Sequence, residues 1–93
     1  MRSILQNEKV CYFTGSTQCL DRHHIFFGGN REISEKNGFW VWLRHDMHIA
    51  ASPNSTPHNN REVDLLLKKA CQEKYEETHS REEFIQLIGR NYL

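Results

Sequence analysis

Both prolines of the 93-residue chain, Pro53 and Pro57, fall in one short stretch, and the apolar pattern differs on its two sides. Proline lacks a backbone donor and crowds the preceding turn, so residues 49–57, also rich in Ser, Asn and Thr, disfavour helix and sheet and form a connection. Before this stretch the apolar residues come in short β-prone runs, Leu20 to Phe27 and Phe39-Trp40-Val41-Trp42-Leu43. After it, Val63, Leu66, Leu67, Ala70, Cys71 and Tyr75 recur at steps of three and four, the period of an amphipathic helix. Strands followed by helices predict an α+β fold.

The two runs predict strands near 20–27 and 39–44, paired as a hairpin, with a weaker β-prone segment from Cys11 ahead of a Gly15-Ser16 turn. Residues 28–38 are polar and turn-rich, and predict a loop of about ten residues closed by Asn37-Gly38. Trp40 and Trp42 alternate with Val41 and Leu43, so they share a face, expected to pack on the long helix. That helix is predicted over about 60–78, with Asn59 and Glu62 as its cap pair. Ser80 and Glu83 open a second, short helix that Gly89 stops, and Asn91-Tyr92-Leu93 trail it. The expected organisation is one domain, 1–93: a loose lead-in over 1–10, a motif region over 11–60 and a helical part over 60–93.

Composition narrows the function classes. Twelve Lys plus Arg balance twelve Asp plus Glu, unlike a strongly basic nucleic-acid module or an acidic tail. A mean hydropathy of −0.74, with no apolar run near the ~18 residues of a membrane span and no signal-peptide pattern, predicts a soluble protein that stays where it is made. Cys11, Cys19 and Cys71 cannot all pair, which points to a reducing compartment, and Cys19 reads as a small strand hydrophobe. A domain of this size buries only about 60% of its unfolded surface and often leans on a metal or a partner.

The compositional oddity is six histidines. His79 reads as a surface residue; the informative ones are His23-His24, His48 and His58. Neutral imidazole ligates divalent metals and also accepts a proton near neutral pH. Neighbours on a strand point to opposite faces, so His23 and His24 are poorly placed to share one ion, and a split into one ligand and one base is the natural division.

The segments Leu20-Asp21-Arg22-His23-His24-Ile25-Phe26-Phe27-Gly28 and Ser34-Glu35-Lys36-Asn37-Gly38-Phe39-Trp40-Val41-Trp42-Leu43, followed by His48 and His58, resemble the HNH endonucleases of the His-Me finger (ββα-metal) superfamily. The likeness is nearest to small phage and prophage members and covers roughly residues 11–60. It implies a ββα-metal core and metal-dependent hydrolysis of DNA phosphodiesters in the cytoplasm of a bacterial host. His24 would be the general base; His23, His48 and His58 would hold one divalent ion, Mg, Mn, Ni or Zn, with His45 a rival ligand. Arg22, Arg31, Lys36 and Arg44 lie beside these segments and are candidate phosphate contacts.

Two departures bear on this expectation. Many family members hold a structural zinc with two Cys-x-x-Cys pairs, whereas the matching positions here are Cys11, Thr14, Arg44 and Met47, so this zinc is expected to be lost. The family's middle Asn falls near Phe39, leaving Asn30 or Asn37 as stand-ins. The alternative is an HNH-like scaffold that binds nucleic acid or inhibits a host nuclease, with a host protein as partner, a reading the zero net charge favours.

Overall fold

The computed structural model describes residues 1–45 and 57–93, with the backbone alone over 57–60. The architecture is α+β. Strand β1 (Leu20–His24) leads through a 3-10 turn (Gly28–Asn30) into helix α1 (Arg31–Asn37), and strand β2 (Trp40–Arg44) returns antiparallel to β1. Helices α2 (Pro57–Tyr75) and α3 (Arg81–Ile88) complete it. Among the described residues no helix is long and apolar enough to cross a membrane.

The register pairs Arg22 with Trp42, His23 with Val41 and His24 with Trp40. Directly opposed residues share a sheet face, so the hairpin has two unlike sides. Val41 and Leu43 look inward and join Leu67 and Cys71 of α2, Phe84 and Ile88 of α3, and Phe26 and Phe39 in one buried cluster. Arg22, His24, Trp40 and Trp42 stand on the other side.

Strand β1 is shorter than its apolar run because pairing stops where a side chain takes over the backbone. The Ile25 N–H still reaches the Phe39 carbonyl at 2.9 Å. At Phe26, however, both backbone groups turn to the buried Ser34 hydroxyl, which accepts from the N–H at 3.2 Å and donates to the carbonyl at 2.6 Å. The predicted ten-residue loop is instead the 3-10 turn and α1. Arg, Glu, Ile and Lys are adequate helix formers, Glu32 and Lys36 sit at the ends that suit the helix dipole, and the Gly38 N–H closes on the Ser34 carbonyl. Asn37-Gly38 is thus a left-handed helix stop (φ 73° at Gly38) rather than a hairpin turn.

The lead-in is docked, not loose. Ser3 donates to the Trp40 carbonyl at 2.5 Å, the Ile4 N–H reaches the Gly38 carbonyl at 2.9 Å, and the Gln6 side chain accepts from the Trp42 N–H at 2.7 Å. This strap lies along β2, and it corrects the expected place of the tryptophans. Trp40 and Trp42 contact each other edge-on at 5.3 Å, outside the helical core, with the Trp40 indole N–H donating to the Met1 carbonyl. A Cβ on Gly38 would collide with the Arg2 carbonyl, and its positive φ strains any L side chain. Gly38→Ala is therefore expected to cost about 1–2 kcal/mol from the backbone alone. It should also loosen the strap, read as faster proteolysis within residues 1–10.

Helix α2 begins at Pro57, ahead of the predicted Asn59 cap, because proline's fixed φ and missing donor suit the first helical position. Leu67 and Cys71 are buried, whereas Leu66 is 51% exposed and Gln72 takes an inward place. The Gln72 amide donates to Asn91 and Glu76 and accepts from the Tyr92 N–H, which docks the C-terminal residues. Helix α3 follows its prediction: Ser80 and Glu83 form a reciprocal capping box, and Gly89 ends it at φ 92°.

Candidate active site

Arg22 and His24 stand two residues apart on one face of β1, and Arg31 and Glu35 stand one turn apart on α1. With Glu32 they line one open depression. His24 is the inner member, its side chain 15% exposed against 43% for Glu35. The Glu35 carboxylate bridges two partners: Oε2 lies 2.6 Å from His24 Nε2, and Oε1 accepts from Arg22 Nη1 at 2.5 Å. The hydrogen bond to His24, with the Arg22 charge beside it, holds the Glu35 carboxyl below its ordinary range against a smaller opposing effect of desolvation.

Arg22 is fixed from behind as well. Its guanidinium lies over the Trp40 ring at 4.0 Å and within 5.4 Å of Trp42, whose ring also carries the Lys9 ammonium at 4.6 Å. Both indoles are thereby covered by cations, which leaves them as supports for charge rather than platforms for bases.

His23, next in sequence to His24, points the other way. Its ring is 3% exposed on the face shared with Val41, the side that packs against α2. Adjacent histidines thus sit on opposite faces. His48 lies outside the described residues, and of His58 only the backbone is described, in the first turn of α2. Among the described residues no three His, Cys, Asp or Glu side chains form a group able to hold a metal ion. His45 is hydrogen-bonded to Asp21 at 2.7 Å. A donor set of His23, His48 and His58 is chemically suited to an ion such as Zn²⁺ or Ni²⁺, since imidazole suits these better than the oxygen-seeking Mg²⁺.

Of the four candidate phosphate contacts, Arg22 and Arg31 line the depression. Lys36 ends α1 on the exposed surface, and Arg44 pairs with Leu20 at the opposite end of the hairpin. The residue that sequence reasoning missed is Glu35. Its signal was available in the run of helix formers over 31–36, which places Glu35 one turn from Arg31. Neither asparagine stand-in touches His24: Asn30 donates to the Ile88 carbonyl at 3.1 Å and Asn37 to the Ile33 carbonyl at 2.8 Å.

Three of the four positions aligned with zinc cysteines converge around one sulfur. Burial opposes ionisation of the Cys11 thiol, but hydrogen bonds from the Thr14 hydroxyl and the backbone of Arg44, Thr14 and Phe13 outweigh it and bring the thiol below its usual range. Met47, the fourth, lies outside the described residues. The turn closes with Cys11 N–H to the Ser16 carbonyl at 2.8 Å and Gly15 N–H to the Cys11 carbonyl at 2.9 Å. Cys19 is not a strand hydrophobe: it is exposed, with φ 53°, just before β1. No family model, curated protein or solved structure matches this chain. Hydrogen bonds from Thr14, Arg44 and Phe13 satisfy the Cys11 sulfur, and chelator treatment is expected to leave the domain folded. A structural zinc contributes folding energy directly, so unfolding on chelation would refute this account.

Proposed function

We propose that this chain is a metal-dependent nuclease of the HNH type that hydrolyses DNA phosphodiester bonds, acting in the cytoplasm of a bacterial host for a phage or prophage. The observation that carries the reading is His24: an imidazole at the end of β1, hydrogen-bonded to a carboxylate, at the wall of an open depression that also holds Arg31. A histidine oriented by a carboxylate is the usual construction of a general base near neutral pH.

In this mechanism His24 takes a proton from the water that attacks the scissile phosphate. Arg31 offers a guanidinium to a flanking phosphate, where planar, paired donors fit the oxygens well. His23, His48 and His58 would hold one divalent ion, which supplies charge stabilisation at the phosphate and its leaving oxygen.

The test is supercoiled-plasmid cleavage with Mg²⁺, Mn²⁺, Ni²⁺ or Zn²⁺. Nicked or linear product that EDTA abolishes is the expected result. Metal binding without cleavage of DNA or RNA would overturn the reading in favour of a binding or inhibitor protein.

A further inference from the structure

We propose, resting on that nuclease reading, that Glu35 is the positioning residue of the site: with Arg22 as its anchor, it holds His24 as the Nε2–H tautomer and leaves Nδ1 as the atom that accepts the proton. An ionised carboxylate has acceptors and no donor. At 2.6 Å from Glu35 Oε2, the His24 Nε2 therefore carries the hydrogen of the bond. In a neutral imidazole the other nitrogen then bears the lone pair, so Nδ1 is the basic atom.

The arrangement fixes Glu35 as firmly as Glu35 fixes His24. Its second oxygen accepts from Arg22 at 2.5 Å, Arg22 is stacked on Trp40 at 4.0 Å, and the Trp40 indole donates to the Met1 carbonyl at 3.1 Å. The pieces come from β1, α1, β2 and the N-terminal strap, so the contacts run from a buried indole to the imidazole. An exposed Arg–Glu pair by itself contributes little to stability. What this one supplies is orientation. Arg22 is thereby assigned to Glu35 rather than to a phosphate.

Glutamine at position 35 makes the idea testable, because an amide has one oxygen where the carboxylate has two. Arg22 and His24 Nε2–H both need an acceptor, and Glu35→Gln can satisfy one of them. If the oxygen goes to Arg22, the NH₂ group faces Nε2, which must become an acceptor, and the proton moves to Nδ1. The base is then blocked. Glu35 is 43% exposed, so neither Glu35→Gln nor Glu35→Ala opens the core.

The experiment compares parent, Glu35→Gln and Glu35→Ala in steady-state cleavage of a DNA oligonucleotide with Mn²⁺. In parallel, proton NMR of the metal-free proteins follows the downfield imidazole N–H resonance, assigned by its loss in His24→Ala. We expect kcat to fall between about 10- and 10⁴-fold in both Glu35 variants, the range for losing a carboxylate that fixes a catalytic imidazole. KM should change less than about threefold, and the downfield resonance should vanish in Glu35→Ala. An unchanged kcat with that resonance lost would overturn the positioning role and leave the nuclease reading in place. A rise in KM with kcat intact would also overturn it, by making Glu35 a substrate contact. Absence of the resonance from the parent would overturn the His24–Glu35 pairing itself. A parent that cleaves nothing, yet shows the resonance and loses it in Glu35→Ala, would remove the nuclease reading while supporting the orientation of His24 by Glu35.

Discussion

His24→Ala is expected to lower plasmid cleavage by about 10²- to 10⁴-fold, the usual contribution of a positioned general base, while metal binding measured by calorimetry stays within about twofold of the parent. The separation follows from the strand. His24 and His23 are neighbours on β1 and therefore face opposite sides of the hairpin, His24 toward Glu35 and His23 toward α2. Removing the ring on one side leaves the other in place. His23→Ala should behave differently and lose metal affinity and cleavage together, as should His48→Ala and His58→Ala, since each removes one of the about three protein ligands of the proposed metal site. The four variants run beside the parent across the same metals give a pattern that a mere loss of folding cannot imitate. Cleavage in His24→Ala within about twofold of the parent would assign the base to another residue.

Glu35 shows how far such a site is legible in sequence. The histidine doublet could be seen because both chemistry and order marked it, and strand alternation gave the opposite orientations of His23 and His24. Glu35 has no evident partner if residues 28–38 form a loop, since only a helical turn brings it beside Arg31. Helix α1 is hard to see because it buries little: Ile33 packs at the margin of the core and Ser34 is the one fully enclosed residue, so no apolar period announces it. Gly38 made this worse, because a left-handed glycine after asparagine serves a tight turn and a helix stop equally well.

Local signals were readable where they were complete within a few residues. The Ser80–Glu83 box and the Gly89 stop are closed by neighbours three or four positions apart, and α3 runs between them as expected. The N-terminal strap is the opposite case. Its bonds join Ser3 to Trp40, Gln6 to Trp42 and Ile4 to Gly38, partners more than thirty positions away, and polar side chains closing on backbone groups leave no hydrophobic pattern. The same contacts explain why the tryptophans turned from the expected helix to the strap: the inward positions of β2 were already taken by Val41 and Leu43.

Phe39→Asn, which puts at this position the asparagine that the HNH resemblance would call for, is expected to unfold the domain near room temperature. Phe39 has 0% exposure, and its ring meets Phe26 at 5.7 Å, Tyr75 at 5.5 Å and Phe84 at 6.2 Å, so it joins the hairpin to α2 and α3. Truncating a buried aromatic costs about 3–5 kcal/mol, and leaving a buried amide without partners adds about 1–3 kcal/mol. Their sum matches the lower part of the roughly 5–15 kcal/mol that separates folded from unfolded domains. Phe39→Leu, which keeps an apolar side chain and adds no polar group, should cost only about 1–3 kcal/mol. Urea titrations followed by circular dichroism distinguish the two. A Phe39→Asn midpoint close to that of Phe39→Leu would mean that the amide finds hydrogen bonds inside the core. The expected collapse instead means that position 39 has no place for an amide, because Phe39 is the centre of the aromatic core that joins the hairpin to α2 and α3.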